Sequence, residues 1–147
     1  MKLSTKGRYA VRAMVDVAMH HGEAPVILRG VAERQQISMH YLENIFVRLG
    51  AAGLVRSIRG AQGGFTLAKP PSQIKLSEIV QTLEGPIAPV QCVDDATACE
   101  RASFCATRDI WVEMGTAMSK VLESVSLQDL AERQRKKEQP EAPIYYI

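Results

Sequence analysis

Two short helical patterns joined by a tight turn, with a glycine-rich hairpin directly after them, constrain the fold of this 147-residue chain more than any other feature. Ser38 is a good N-cap residue for the second helix of the pair. The pattern then changes to short extended runs on either side of the loop Gly60-Ala61-Gln62-Gly63-Gly64. This order predicts a helix-turn-helix over about 28–51 with a β-hairpin wing over about 54–68.

Three further helices are predicted around this motif. Helical spacing begins at Thr5 and continues to His21, a shorter run covers Ser77 to Leu83, and a long helix begins near Thr107. The long helix carries a wide apolar face, which must pack against the first half of the chain or against a second copy. The predicted fold class is mainly α with a small β-hairpin: a winged helix-turn-helix domain plus a long helix that is a candidate dimerisation helix.

We divide the chain into four segments. Residues 1–84 form the predicted winged helix-turn-helix domain, 85–106 a cysteine-containing loop that is a candidate cluster or metal site, and 107–131 the candidate dimerisation helix with a following turn. The remaining residues, 132–147, form a tail. Because the tail is charged and contains prolines, we expect it to be disordered.

Composition is typical of a folded, soluble protein. Hydrophobic residues make up 46% of the chain and charged residues 23%. No run approaches the ~20 apolar residues that a membrane span needs, and basic residues interrupt the N-terminal apolar positions, unlike a secretory signal. We therefore expect a cytoplasmic protein that does not bind a membrane, with its three cysteines reduced rather than paired in disulfides.

Charge is distributed unevenly along the chain. Residues 1–70 hold ten Lys/Arg and four Asp/Glu, a net charge of +6, whereas residues 71–147 hold eight and twelve, a net charge of −4. A basic half joined to an acidic half is typical of a polyanion-binding domain attached to a second function, although uneven solubilisation gives the same pattern. Together with the helix-turn-helix pattern, the charge favours double-stranded DNA as a partner.

The second helix of the motif offers a polar face for reading DNA. Its apolar stripe consists of Leu42, Ile45, Phe46 and Leu49. The outward positions are then His40, Glu43, Asn44 and Val47. Asn can form two hydrogen bonds with adenine, and Glu can accept a hydrogen bond from the amino group of cytosine. We therefore predict that His40, Glu43 and Asn44 read base edges.

Other residues of the motif are predicted to contact the DNA backbone and the minor groove. Ser38, Tyr41 and Arg48 are placed for phosphates, although Tyr41 can equally be half-buried and Arg48 a solvated surface residue. Arg59, with Gly60 beside it at the tip of the wing, is placed to enter a narrow minor groove, where negative potential is concentrated.

Three cysteines within fourteen residues, Cys92, Cys99 and Cys105, form the most informative local feature. Thiols this close in a proline-containing loop of a reduced protein are typical of metal ligands, and soft thiolates select iron–sulfur clusters, zinc or copper(I). Buried structural cysteines are the alternative, which the charged neighbours of the loop disfavour. A thiol enzyme has little support, because the chain has no CxxC pair and its histidines lie far from the cysteines in sequence. We therefore do not expect an enzyme.

The sequence resembles the IscR-type regulators, a superfamily of winged-helix repressors and activators that also contains the nitric-oxide sensors NsrR and the cysteine-metabolism regulators CymR. The matching residues are Met1–Ala10, Ile37–Glu43, Val55–Gly60, Gly63–Phe65 and the three-cysteine loop. The resemblance covers about residues 1–130. It implies a homodimer joined through the long helix, a pseudo-palindromic operator, and an iron–sulfur cluster on Cys92, Cys99 and Cys105. A 2Fe–2S cluster is the first expectation and 4Fe–4S the alternative.

The fourth cluster ligand departs from the family pattern. Iron–sulfur members with this layout have a histidine three residues after the last cysteine, where this chain has Arg108. The nitric-oxide sensors use a carboxylate of the first helix, where this chain has Arg8, and the spacing from Cys92 to Cys99 is one residue longer than in close relatives. A guanidinium has no acceptor lone pair, so we expect Arg108 to stabilise the anionic cluster as a nearby cation rather than ligate iron.

The fourth ligand is then an oxygen donor of this chain, a group of a partner subunit or an exogenous molecule. The oxygen donors near the cysteines are Asp94, Asp95, Glu100 and Asp109. Asp109 is the favoured candidate because it opens the long helix.

The predicted function is a DNA-binding transcriptional regulator whose operator binding is controlled by an iron–sulfur cluster that senses iron–sulfur status, oxygen or nitric oxide. A zinc-bound or cluster-free winged-helix regulator that responds to thiols or cysteine metabolism is the alternative. A thiol-redox enzyme is a distant third.

Overall fold

The computed structural model describes residues 2–22, 24–140 and 145–146, and within them the fold is mainly α-helical with one β-hairpin, as predicted. The helices are α1 (Thr5–Met19), α2 (Leu28–Gln35), α3 (Met39–Ala51), α4 (Leu76–Glu84), α5 (Gln91–Asp94), α6 (Ala106–Ser124) and α7 (Leu127–Glu138). The strands are β1 (Val55–Ile58) and β2 (Gly64–Leu67). Among the described residues, no helix is long and apolar enough to cross a membrane.

Helix α1 lies at the centre of the core and contacts α2, α3, α4 and α7. The Ser4 hydroxyl caps it by accepting a hydrogen bond of 3.1 Å from the backbone N–H of Gly7. Its fully buried side chains are Ala10, Ala13, Met14 and Val17. The two alanines allow neighbouring helices to approach closely, so α1 serves as the scaffold on which the other helices are placed.

The two helices of the helix-turn-helix, α2 and α3, are joined by a short turn. Gln36 ends α2 in the left-handed conformation (φ 54°), Ile37 is buried at the turn, and Ser38 caps α3 by accepting a hydrogen bond of 3.2 Å from the N–H of Tyr41. The predicted stripe of Leu42, Ile45, Phe46 and Leu49 is buried, at 1% exposure or less. The amphipathic pattern therefore sets the rotation of α3 about its axis.

The wing is a two-stranded antiparallel hairpin in which Ile58 pairs with Gly64 and Val55 pairs with Leu67. Two 2.8 Å backbone hydrogen bonds join Val26 to Phe65, so the segment before α2 borders β2. A Cβ atom at Gly64 would lie 2.5 Å from the Val26 carbonyl oxygen, so this pairing requires glycine. The Phe65 ring packs edge-on against Phe46, with centroids 4.8 Å apart, and anchors the wing to α3.

The tail prediction is wrong for residues 132–138, which continue α7. Ser126 and Asp129 form a reciprocal capping box. The Asp129 N–H donates to the Ser126 hydroxyl oxygen at 3.1 Å, and the Ser126 N–H donates to the Asp129 carboxylate at 2.9 Å. Leu127 and Ala131 are buried, and α7 packs on α1. Three basic residues in the last turn also complement the helix dipole. Of the rest of the tail, residues 141–144 and 147 lie outside the described residues.

Helix α6 is attached to the winged-helix body at its C-terminal end and near its middle. At its C-terminal end, the Val125 carbonyl accepts a hydrogen bond from the N–H of Leu76, and the Leu127 N–H donates to the Ile74 carbonyl. Near its middle, Gly115 is buried beside Pro89. The apolar face predicted on this helix is largely uncovered in the single chain: its exposed members are Ile110 (52%), Trp111 (37%), Met114 (45%) and Val121 (62%).

Candidate DNA interface and cysteine loop

The outward face of α3 is exposed as the sequence predicts. His40, Glu43, Asn44 and Val47 are all exposed, on the opposite side of the helix from the buried stripe. Val47 is 71% exposed, which gives an apolar surface next to the polar side chains. Such a face can offer hydrogen bonds and a methyl contact to base edges in a major groove.

The three predicted phosphate contacts differ in their surroundings. Ser38 is exposed, and its hydroxyl, occupied as an acceptor in the α3 cap, keeps its own proton free to donate. Tyr41 is half-buried, with its ring edge-on to that of Tyr9 and the two ring centroids 5.6 Å apart. Its ring therefore packs against α1, which is the alternative to a purely phosphate-facing position. Arg48 is exposed, and its guanidinium makes one long contact of 3.5 Å with the Leu83 carbonyl oxygen.

The wing presents its basic tip to solvent. Arg59 and Gly60 are both exposed, directly after the end of β1. Gly60 has φ +113°, a conformation that side-chain-bearing residues rarely adopt, so the tight loop depends on glycine at this position. The Arg59 side chain is therefore held by a short hairpin whose other end is fixed to α3 through Phe65.

A buried carboxylate that the sequence analysis missed joins α1 to the end of α2. Asp16 is only 2% exposed, and its oxygens accept hydrogen bonds from the Arg34 guanidinium at 2.7–3.2 Å and from the Gln35 amide at 2.9 Å. The side-chain hydrogen bond with Asp16 raises the pKa of Arg34. A bidentate pair of this kind fixes both partners in direction, so Asp16 sets where α2 ends and the turn begins.

A second set of contacts continues from this point to the start of α3. The Arg12 guanidinium donates to the backbone and side-chain oxygens of Gln35 and lies 5.4 Å from the centroid of the Tyr9 ring. Tyr9 in turn packs on Tyr41. The orientation of α3 thus depends on polar and aromatic contacts with α1 as well as on its apolar stripe.

The three cysteines lie on separate short elements of the loop. Cys92 is half-buried in α5, Cys99 is exposed after the 3-10 turn Ala96–Ala98, and Cys105 is half-buried at the N-cap of α6. Among the described residues, no group of three or more Cys, His, Asp or Glu side chains is placed to hold a metal ion. The structure therefore brings the thiols into one loop without grouping them as a ligand set.

The chemistry of this loop nevertheless suits thiolate ligands. The Thr107 hydroxyl lies 3.1 Å from the Cys105 sulfur, and this hydrogen bond, followed by the backbone N–H of Arg108 and the charge of Arg101, lowers the pKa of the Cys105 thiol. Arg108 is half-buried, and its Nε donates a 3.0 Å hydrogen bond to the Cys92 carbonyl oxygen. One arginine thus connects α6 with the segment that carries the first cysteine.

The candidate oxygen donors are all exposed, but they differ in their hydrogen bonds. Asp95 is engaged by the hydroxyl and the backbone N–H of Thr97, at 2.6 and 2.9 Å, and these hydrogen bonds lower its pKa. Asp94 ends α5, Glu100 follows Cys99, and Asp109 lies in the first turn of α6. The fourth ligand stays a prediction, as does the set of three.

Comparison with known proteins places the fold among bacterial regulators. A family model described as Rrf2, iron-dependent transcriptional regulator, matches residues 3–133. The transcriptional regulator CymR of Bacillus subtilis (strain 168) is 43% identical over 131 residues, 89% of this chain and 90% of the relative. The regulator IscR of Photorhabdus laumondii is 40% identical over 134 residues, 91% of this chain and 81% of the relative.

Solved structures agree with these relatives. The B. subtilis CymR, described as that organism's global cysteine regulator, superposes with a TM-score of 0.76 at 42% identity. The match covers 90% of this chain and 98% of the CymR chain. The T. potens IscR superposes with a TM-score of 0.79 at 38% identity and covers 97% of this chain and 94% of its own. The resemblance to IscR-type regulators is confirmed, and the chain belongs to the Rrf2 family of transcriptional regulators.

Proposed function

We propose that this chain binds a pseudo-palindromic operator as a homodimer, with α3 in the major groove and Arg59 in the adjacent minor groove. The observation that carries the proposal is the exposed polar face of α3, which lies opposite a fully buried stripe and next to a wing fixed by Phe65. A second copy brings a second α3, and two-fold symmetry then requires two half-sites of opposite orientation.

An iron–sulfur cluster on Cys92, Cys99 and Cys105 is the proposed regulator of this binding. When bound, the cluster supplies a redox-sensitive anionic centre, and Arg101 and Arg108 are the cations closest to it in sequence. Cluster binding requires the loop to move, because the three thiols are not grouped as a ligand set. Since Cys105 is the N-cap of α6, ordering of the loop acts directly on the start of the dimerisation helix.

A cluster-free regulator that responds to thiols is the second candidate function. The lowered pKa of Cys105 and the exposure of Cys99 favour it, because a thiolate is the reactive form of cysteine. The likeness to CymR, the global cysteine regulator of B. subtilis, points in the same direction. In this form, exchange of a loop thiolate with a small-molecule disulfide, which forms a mixed disulfide and releases the matching thiol, replaces cluster binding as the signal.

Anaerobic purification with an absorption spectrum and with iron, sulfide and zinc analysis distinguishes these functions. A cluster protein is brown and contains iron and acid-labile sulfide, and Cys92→Ala, Cys99→Ala and Cys105→Ala each lose both. Ser103→Ala, which removes a hydroxyl from the same loop, serves as the control and keeps them. A colourless wild type with one equivalent of zinc, or with no metal, contradicts the cluster and leaves the DNA-binding proposal standing.

Arg108→His tests the fourth ligand in the same preparation. Imidazole can ligate iron and guanidinium cannot, so we expect the variant to keep its cluster longer in air than the wild type. Arg108→Gln removes the cation and offers no imidazole, and it separates ligation from loss of the contact with the Cys92 carbonyl. If both variants shorten the lifetime equally, Arg108 stabilises the cluster as a cation, and its position is not a vacant ligand position.

A further inference from the structure

A groove between α1, α7 and the end of α2 lies apart from both the cysteine loop and the outward face of α3. Its apolar floor is formed by Val11, Val15 and Met19 of α1 and by Leu130 of α7. These side chains are all partly exposed, so the groove leaves apolar surface in contact with water. Partly closed apolar grooves with a few polar groups at the rim are the usual form of small-molecule sites.

Three cations line the same groove. Arg12 comes from α1, and Arg133 and Lys137 lie one turn apart on α7. Within the part of the chain that the structure describes, none of the three has a carboxylate oxygen within 4 Å, although the charge of Arg133 acts on Asp129 one turn earlier in α7. The remaining polar lining consists of the amides of Gln35 and Gln134, so the lining carries no acidic side chain. Several positive charges above a low-dielectric, apolar floor concentrate the electrostatic field and attract an anion.

Arg12 connects this groove to the DNA-reading motif. Its guanidinium holds Gln35 at the end of α2 and stacks near Tyr9, which packs on Tyr41 at the start of α3. An anion that draws the guanidinium toward the groove competes with its hydrogen bonds to Gln35. Those hydrogen bonds belong to the turn that orients α3.

We propose that this groove binds a small amphipathic anion, with a carboxylate or sulfonate at Arg12, Arg133 and Lys137 and an apolar body on the floor. Occupation of the groove loosens the turn between α2 and α3 through Arg12. Neither part of the proposal depends on the operator or on a cluster, so the site and the proposed function succeed or fail independently.

Binding of anilinonaphthalene sulfonate, with phenylnaphthylamine as its neutral analogue, tests the site by fluorescence titration. The double variant Arg133→Gln/Lys137→Gln should lower the affinity for the sulfonate at least about fivefold and leave the affinity for the neutral analogue unchanged. The control double variant Lys120→Gln/Lys136→Gln removes the same charge outside the groove and should behave as wild type. Circular dichroism checks that α7 is intact in both.

Two results of the titration overturn the proposal. One is an unchanged sulfonate affinity in the groove variant, Arg133→Gln/Lys137→Gln. This result overturns the site even if the same variant has a lower non-specific affinity for double-stranded DNA. The other is an equal loss in the control variant or for the neutral analogue, since the effect is then not a local charge contact.

Amide hydrogen exchange locates the dye and tests the connection to the turn. Saturating sulfonate should slow exchange in α7 and speed exchange over residues 34–41 in the wild type, with neither change in the groove variant. Slower exchange confined to residues 110–121 places the dye on the exposed face of α6 and overturns the site. Unchanged exchange over 34–41 with protection of α7 overturns the connection through Arg12.

Discussion

Arg59 is the residue that we expect to make the proposed contact between the wing and DNA. It is exposed at the end of β1, and no ion pair within the described chain engages it. We expect Arg59→Ala to weaken binding to the selected operator by about 1–3 kcal/mol, the value of one good DNA contact. Lys120→Ala, which removes an exposed cation from α6, should leave binding unchanged. Fluorescence anisotropy at fixed salt measures both, and equal effects of the two substitutions would contradict a contact at the wing.

Glu43 is the residue through which α3 is expected to reject sequences. A carboxylate close to phosphates is unfavourable unless it finds a donor, and the cytosine amino group is the donor that a major groove offers. Glu43→Ala should therefore enlarge the set of sequences that the protein binds. Selection from random DNA measures this directly, with Glu33→Ala on α2 as a control for the loss of one exposed carboxylate. An identical preference in wild type and Glu43→Ala would show that the carboxylate does not face a base.

At the scale of elements, periodicity and caps predicted the helix-turn-helix. The α3 stripe and the cap at Ser38 occur where the pattern indicates them. The cap joins residues within one helical turn and the stripe residues within a few turns, so both depend on local sequence. The wing was predictable from its five-residue loop for the same reason. Its edge pairing with Val26 joins residues far apart in sequence, and no local pattern indicates it.

Helix α7 and the Asp16 contacts show what local pattern omits. After Ala131 the helix has no apolar periodicity, so its sequence resembles a solvated tail, and its stability comes from the cap and from packing on α1. A single aspartate in an amphipathic helix is ordinarily exposed, and Asp16 is buried only because Arg34 lies opposite it in the fold. Sequence likewise places three cysteines in one loop but does not determine how their sulfur atoms are arranged.

The capping box of α7 gives a pH-dependent prediction. Hydrogen bonds from the backbone N–H and then the side chain of Ser126 lower the pKa of Asp129. A carboxylate with a lower pKa in the folded state contributes stability that is complete above its unfolded pKa and is lost as the pH falls through its folded pKa. Asp129→Asn should therefore lower the melting temperature near neutral pH, with the difference narrowing below about pH 4.

Thermal melts followed by circular dichroism at several pH values measure this effect. Glu113→Gln, at an exposed position of α6, is the matched control for neutralising one carboxylate and should not reproduce the pattern. A pH-independent difference between wild type and Asp129→Asn would mean that the side chain contributes by packing rather than by its charge.

At the scale of the whole molecule, the fold separates two surfaces that the proposed function requires to work together. The exposed face of α3 and the cysteine loop are carried by different parts of the chain. Helix α6 begins directly after Cys105, and the residues that follow its last turn pair with the segment at the start of α4. A single chain leaves the apolar face of α6 in water, which is costly for a surface that includes a tryptophan and a methionine. In the proposed dimer, burial of this face against a second copy removes that cost and joins the two α3 faces that we propose to read DNA.

Met114→Glu tests whether this face is the dimer interface. The substitution replaces the most central exposed apolar side chain of α6 with a charged one. The proposed dimer should therefore dissociate at micromolar concentration, while the single chain keeps its fold. Thr116→Glu adds the same charge on the other side of the helix and should remain dimeric. Analytical ultracentrifugation measures the mass of each variant.

Operator binding then reports the consequence for function. Two linked heads bind a palindrome with an affinity that exceeds that of one head by about a hundredfold or more, so the monomeric variant should lose at least this factor on the full operator. On a single half-site, wild type and Met114→Glu should bind alike, because the α3 face and the wing are unchanged. If Met114→Glu stays dimeric, or if it becomes monomeric and keeps full operator affinity, then α6 does not couple the two reading heads and the operator is not read by a dimer of this form.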